Sequence, residues 1–173
     1  MTNAFYRMAA GMAAVCVLSG PSQAQSSAPP NPAQQERVVT THVRGNFEVK
    51  LTPEALADKA ADKTLARMSI DKQFHGDLEA TSKGEMLSAV TPVKGSAGYV
   101  AIERVTGTLK GRKGTFILQH SATMARGTPH LHVIVVPDSG TDELTGIAGT
   151  MTINVAPSGQ HSYDFEYAFA DSR

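Results

Sequence analysis

Hydrophobic and polar residues alternate along most of the chain after residue 40, which is typical of strands with one buried face. The alternation is clearest near the end, where aromatic residues at every second position from Tyr163 to Phe169 are separated by polar or small ones. We predict eight strands: Thr41 to Leu51, Leu65 to Phe74, Asp77 to Thr91, two between Gly95 and His120, Pro129 to Val136, Leu144 to Val155, and Ser162 to Ala170.

Short turns rich in glycine or proline separate these predicted strands. An all-β chain of eight consecutive strands favours an up-and-down antiparallel barrel, because closing the sheet leaves no unpaired edge. An open sandwich of two sheets is the alternative. The pattern breaks once, in the alanine-rich stretch from Thr52 to Thr64, where Thr52 suits a helix cap and Pro53 the first helical position. There we expect one short helix or a loose lid after the first strand.

The N-terminus has the features of an export signal. Arg7 precedes an apolar run from Met8 to Gly20, and Ser22-Gln23-Ala24 suits a cleavage site. Spanning a bilayer takes about 20 apolar residues, so we expect cleavage after Ala24, no remaining membrane span, and export to the periplasm or beyond the cell. Residues 25–37, rich in Ser, Pro, Gln and Ala, are predicted to be a disordered leader. Residues 38–173 have the usual length of one domain, here the barrel.

Composition excludes several classes of function. Without Arg7, 15 Lys and Arg residues stand against 16 Asp and Glu, so no basic surface is available to bind nucleic acid. The single cysteine, Cys16, lies within the predicted signal, which excludes thiolate chemistry and disulfides from the domain. No phosphate-binding loop, dinucleotide motif or Gly-x-Ser-x-Gly nucleophile motif occurs, and we expect no cofactor.

Four residues that can carry chemistry share strand faces with apolar neighbours: Lys72, Tyr99, Glu103 and His120. If these faces line the barrel, Glu103 and His120 can act as an acid/base pair. Lys72, Tyr99, Phe116 and Leu118 would then contact a ligand. The structural alternative is that Lys72, Glu103 and His120 form a buried network that fixes the register of the strands, because buried charges normally occur in pairs.

Two further motifs have mainly structural interpretations. His130 and His132 would lie on one face of a strand, but no spacing nominates a third ligand, so we predict no metal site. The acidic turn from Asp138 to Glu143 lacks the ligand order of a calcium loop. Hydrogen bonds from Asp138, Ser139 and Thr141 to nearby backbone explain it more simply.

Three segments carry a resemblance to a known family: FHGDLEATSKGE, YVAIERVTGTLKGRKGTFILQH and VVPDSGTDELTGIAGT. Together they resemble domain of unknown function 3224, from Thr40 to Phe169. The resemblance implies an eight-stranded barrel similar to that of allene oxide cyclases and, more distantly, of dirigent proteins. Those relatives hold a hydrophobic ligand in the barrel mouth and guide a cyclisation or coupling by shape.

The sequence therefore leads to three hypotheses of function. The first is an exported protein that binds a small apolar molecule in the mouth of the barrel. The second is an isomerase or cyclase that uses Glu103 and His120 for proton transfer. The third is a structural envelope protein whose barrel is filled by its own side chains, and a homo-oligomer is compatible with each of the three.

Overall fold

The computed structural model describes residues 39–57 and 64–170. They form a closed antiparallel barrel in which each strand pairs with the next and the last pairs with the first. The strands are β1 (Thr41–Glu54), β2 (Leu65–Gly76), β3 (Leu78–Val90), β4 (Ala97–Leu109), β5 (Arg112–Ala125), β6 (Thr128–Val135), β7 (Ile147–Val155) and β8 (His161–Phe169). The predicted eight-stranded, up-and-down barrel is confirmed.

The predicted helix start at Thr52 is wrong. Thr52 and Pro53 continue β1 and lie opposite Ser69 and Met68 of β2. Pairing with β2 outweighs the local preference for a helix, because propensity is a weak determinant when a neighbouring strand is available. The remainder of the predicted helix, at 58–63, lies outside the described residues, as do the predicted signal peptide and leader at 1–37. No helix among the described residues is both long and apolar enough to cross a membrane.

The acidic turn before β7 is held to the barrel by its polar side chains. Ser139 Oγ accepts a hydrogen bond from the backbone N–H of Ile117 at 3.0 Å, and Thr141 Oγ1 accepts one from Thr115 at 3.0 Å. The turn ends in a short 3-10 helix, Asp142–Leu144, whose Leu144 is buried. Leu144 therefore precedes β7, which begins at Ile147 rather than at Leu144 as predicted. The interpretation of the turn through hydrogen bonds to backbone is confirmed for Ser139 and Thr141.

Apolar side chains fill one end of the barrel. The core residues there come from all eight strands and from Leu144, and include stacked rings of Phe116 and Phe165 with centroids 5.7 Å apart. Tyr163 closes this end, because its hydroxyl accepts a hydrogen bond from Leu78 N–H and donates one to the His75 carbonyl oxygen. Burial at alternate positions follows the predicted inward faces.

The wall is least continuous between β6 and β7. Their ladder is a single residue pair, Ile134 opposite Thr150, whereas β5 and β6 pair continuously from Leu118–Val135 to Ala125–Thr128. The first half of β6, which contains Pro129, therefore has no ladder partner on β7. A proline is tolerated where one side of a strand is unpaired, because it has no N–H to donate.

Candidate functional site

The other end of the barrel is hollow. A cavity of about 580 Å³ opens there, lined mainly by apolar side chains that run from Val49 and Leu51 on β1 to Ile153 and Val155 on β7. The side chains with polar atoms around it are Lys72, Tyr99, His120, Asn154 and His161. A mostly apolar cavity with a few polar groups is the usual composition of a small-molecule site.

A layer of four buried polar residues separates the cavity from the packed core. We call it the polar layer; it consists of Lys72, Ser82, Glu103 and His120. On its own strand each member lies between core residues and the hollow end, as Glu103 does between core Val105 and cavity-lining Ala101. Lys72 and His120 line the cavity, whereas Glu103 is fully buried behind them.

Glu103 is the centre of the hydrogen bonds in this layer. Its Oε1 accepts from Lys72 Nζ at 2.7 Å and lies 2.8 Å from His120 Nε2, and its Oε2 accepts from Ser82 Oγ at 2.6 Å. Three strands besides its own therefore contribute a partner to one carboxylate. Lys72 Nζ also lies 5.0 Å from the centroid of the Phe47 ring, a distance at which a cation is attracted to the ring face.

Glu103 is ionised in this arrangement. Burial acts to raise the pKa of its carboxyl, but the hydrogen bond from His120 and the charge of Lys72 outweigh burial and lower that pKa to about 2. A carboxylate has no proton to donate, so the proton between Glu103 and His120 belongs to Nε2 of the imidazole. Burial and the charge of Glu103 raise the pKa of Tyr99, which therefore lines the cavity as a neutral hydroxyl.

Gly84 allows β3 to pass directly over Glu103. The two residues are paired across β3 and β4, and a Cβ at Gly84 would lie 2.6 Å from Cα and Cβ of Glu103 and still closer to the carbonyl oxygen of Ile102. Any side chain would push the two strands apart at this point. This close approach of backbone at a strand glycine falls on the carboxylate at the centre of the site.

Strand parity predicted part of this site and not the rest. Lys72, Tyr99 and His120 line the cavity, and Glu103 holds two of them, whereas Phe116 and Leu118 lie in the packed core. The residues missed as ligand contacts include Phe47 and His161, whose rings lie 5.1 Å apart. His161 precedes Tyr163 by two positions in an alternating strand, so the two side chains share one face. This parity was the signal that could have placed His161 on the inner face of the barrel.

His130 and His132 are exposed, with Leu131 between them directed into the cavity. Among the described residues no group of three or more metal-ligating side chains occurs. This pair therefore gains no third ligand from the part of the chain that the structure describes.

The comparisons with known proteins agree with this architecture. The profile of the family described as "Protein of unknown function (DUF3224)" matches residues 43–167. The chain belongs to the DUF3224 family. A crystal structure of a DUF3224 family protein with unknown function, from Shewanella oneidensis MR-1, is similar to this chain, with 53% sequence identity and a TM-score of 0.73. The match covers 78% of this chain and 100% of that one. No curated protein matches the chain.

The family match spans the strands that carry the DUF3224 site. Lys72, Glu103 and His120 all lie within the matched residues. So does the gap between β6 and β7. Of the eight strands, only the first two residues of β1 and the last two of β8 lie beyond the matched range. The cavity and the polar layer are therefore parts of the DUF3224 domain and not of an addition to it.

Proposed function

We propose that this protein binds a small, mainly apolar molecule that carries one polar group, in the hollow end of the barrel. The observation that carries the proposal is the cavity of about 580 Å³ above a polar layer. Ligand sites in proteins usually enclose about 300–1,000 Å³ and combine apolar walls with a few placed polar groups. Lys72 and His120 supply these groups at the inner end of the cavity.

The mouth of the cavity supports the same proposal. Leu131 on β6 and Val155 on β7 line the mouth where these two strands are poorly paired. Their side chains are 39% and 60% exposed. Large apolar side chains at the rim of a cavity favour the entry of an apolar molecule, because each gains from being covered. The gap between these strands gives the mouth room to widen.

The hypothesis of an envelope protein with a filled barrel has less support. Filling is confined to the end that contains Phe116 and Phe165. A barrel with a purely structural role gains from packing its interior completely, because an unfilled cavity costs stability. The unfilled cavity at the other end of this barrel lacks that stabilisation.

The isomerase or cyclase hypothesis is supported by one specific contact, the 2.8 Å hydrogen bond between Glu103 and His120. In that case His120 is the group that reaches the ligand, and fully buried Glu103 positions and stabilises it. The test is to recover a bound ligand after incubation and to look for an isomer of unchanged mass. Loss of the isomer in Glu103→Gln, with the fold and ligand binding retained, would support proton transfer.

Filling the mouth is expected to weaken binding. In Leu131→Trp the indole occupies the cavity entrance, so binders found by thermal shift and native mass spectrometry in a screen of lipophilic metabolites should weaken at least about tenfold, equivalent to about 1.4 kcal/mol. His132→Trp is the matched control, because His132 is the next residue on β6 and is exposed on the opposite face. Equal binding by both variants, or no binder to the wild type, would contradict the proposal.

A further inference from the structure

The chemical class of the ligand can be narrowed from the polar layer; this step rests on the proposed function. His120 Nε2 carries its proton toward the Glu103 carboxylate at 2.8 Å. In a neutral imidazole the other nitrogen, Nδ1, is then a hydrogen-bond acceptor. Among the described residues no protein group hydrogen-bonds to Nδ1, and His120 lines the cavity. Nδ1 of His120 is therefore a hydrogen-bond acceptor at the cavity wall, and a ligand that supplies a hydrogen-bond donor would satisfy it.

A cation shares the carboxylate partner of this imidazole. Lys72 Nζ and His120 Nε2 share the same oxygen of Glu103, at 2.7 and 2.8 Å. The ammonium has three donors and uses one of them on Glu103. Lys72 and His120 line the same cavity, so a ligand oxygen that donates a proton to Nδ1 shares that cavity with a positive charge, which favours the ionised form of the oxygen.

The charge balance of the polar layer selects a neutral ligand. Lys72 and Glu103 compensate each other, so with a neutral imidazole the layer has no net charge. A permanently charged anion would add an uncompensated charge to a buried site, which is costly. A neutral acidic hydroxyl avoids this cost, because transfer of its proton to Nδ1 leaves the total charge of ligand and protein unchanged.

Aromatic rings around the cavity favour a flat ligand. Phe47, Tyr99 and His161 all line it, and the rings of Phe47 and His161 lie 5.1 Å apart. Ring pairs at such separations gain energy beyond burial alone. We propose that the cavity binds a phenol, whose hydroxyl donates to Nδ1 of His120 and is held as a phenolate beside Lys72.

The proton step is balanced without a further reactant. The O–H bond of the phenol breaks, its proton passes to Nδ1, and the electron pair stays on the phenolate oxygen. Glu103 stabilises the resulting imidazolium through Nε2–H, and Lys72 stabilises the oxyanion. Among the described residues, the titratable groups that line the cavity are Lys72, Tyr99, His120 and His161, with Glu103 behind them.

The test uses 4-nitrophenol, whose phenolate and phenol forms differ in absorption colour. Bound to the wild-type protein, the probe is expected to ionise at a pH at least about one unit below that of the free probe, the scale of shift that a nearby opposite charge produces. The control probe is 4-nitroanisole, which has the same ring and no hydroxyl proton. It is expected to bind at least about tenfold more weakly, because it offers Nδ1 no donor.

Two variants assign the effect to the polar layer. Lys72→Met combined with Glu103→Gln removes both charges together, so that neither is left unpaired; it should bind 4-nitrophenol without the shift in ionisation. His132→Gln, on the outer face of β6, should keep the wild-type shift. If the double variant keeps the shift as well, the assignment to the polar layer is overturned.

The outcomes separate this inference from the proposed function. If both probes bind and nitrophenol ionises as it does free in solution, the phenol inference is overturned and apolar binding stands. Binding of neither probe also overturns the phenol inference. The proposed function itself is decided by the wider screen of lipophilic metabolites and the Leu131→Trp variant, not by these two probes.

Discussion

Replacing Glu103 with alanine is expected to lower the free energy of unfolding by about 3–5 kcal/mol, the usual cost of leaving one partner of a buried ion pair alone. The fully buried carboxylate is the hydrogen-bond partner of Lys72, Ser82 and His120. Its removal leaves the Lys72 ammonium buried without an opposite charge. Urea denaturation of the two proteins measures the difference.

The chain offers an exposed ion pair as a matched control. Asp71 and Lys83 lie on β2 and β3 with the same 2.7 Å separation, but their side chains are 54% and 78% exposed. Asp71→Ala should therefore cost no more than about 1 kcal/mol. A Glu103→Ala protein that loses as little as this control would show that the polar layer is not a buried, mutually dependent unit.

A double variant separates the missing charge from the missing side chain. Lys72→Met with Glu103→Leu replaces the pair by apolar groups of similar size, which is often neutral or stabilising. It should recover most of the stability that Glu103→Ala loses. A double variant as unstable as Glu103→Ala would place the cost in packing rather than in the unpaired ammonium.

The stability provided by Glu103 is expected to disappear in acid. Folding lowers the pKa of this carboxyl from 4.5 to about 2. A group with a lowered pKa in the folded state stabilises the protein above its unfolded value and loses that effect as the pH falls through its folded value. The contribution is therefore complete above about pH 4.5 and fades toward pH 2, by about 3 kcal/mol in total.

Comparison with Glu103→Gln isolates this contribution from other acid-sensitive groups. Glutamine keeps the shape of the side chain and cannot ionise, so the difference in free energy of unfolding between wild type and variant should be largest above pH 4.5 and shrink as the pH approaches 2. Urea titrations at a series of pH values give the difference directly. A difference that stays constant over this range would mean that folding does not shift the pKa of Glu103, and would contradict this account of the carboxylate.

The sequence predicted the barrel well because the alternation of hydrophobic and polar residues follows directly from which side chains face inward. The alternating residues of β2, Ile70, Lys72 and Phe74, are buried as expected. The helix start at Thr52 failed for the opposite reason, since capping and proline signals describe only local preference. Whether Thr52 and Pro53 continue β1 depends on their pairing with Ser69 and Met68 of β2, which are 15 or more positions away in the sequence.

Parity placed the candidate residues on the inner face but could not give their depth along the barrel axis. His120 and Leu118 share one face of β5, yet His120 lines the cavity and Leu118 is in the core. The stagger of neighbouring strands sets this depth, and no local pattern records it. Export to the periplasm or beyond the cell and assembly into a homo-oligomer stay predictions.

The central claim is that a small apolar molecule with a polar group binds in the hollow end against His120. NMR of the histidine side-chain nitrogens tests it most directly, because His120 and His161 line the cavity while His130 and His132 lie on the outer face of β6. Titration with a binder from the screen should shift the signals of His120 and His161 and leave those of His130 and His132 unchanged. Shifts confined to His130 and His132 would contradict the account.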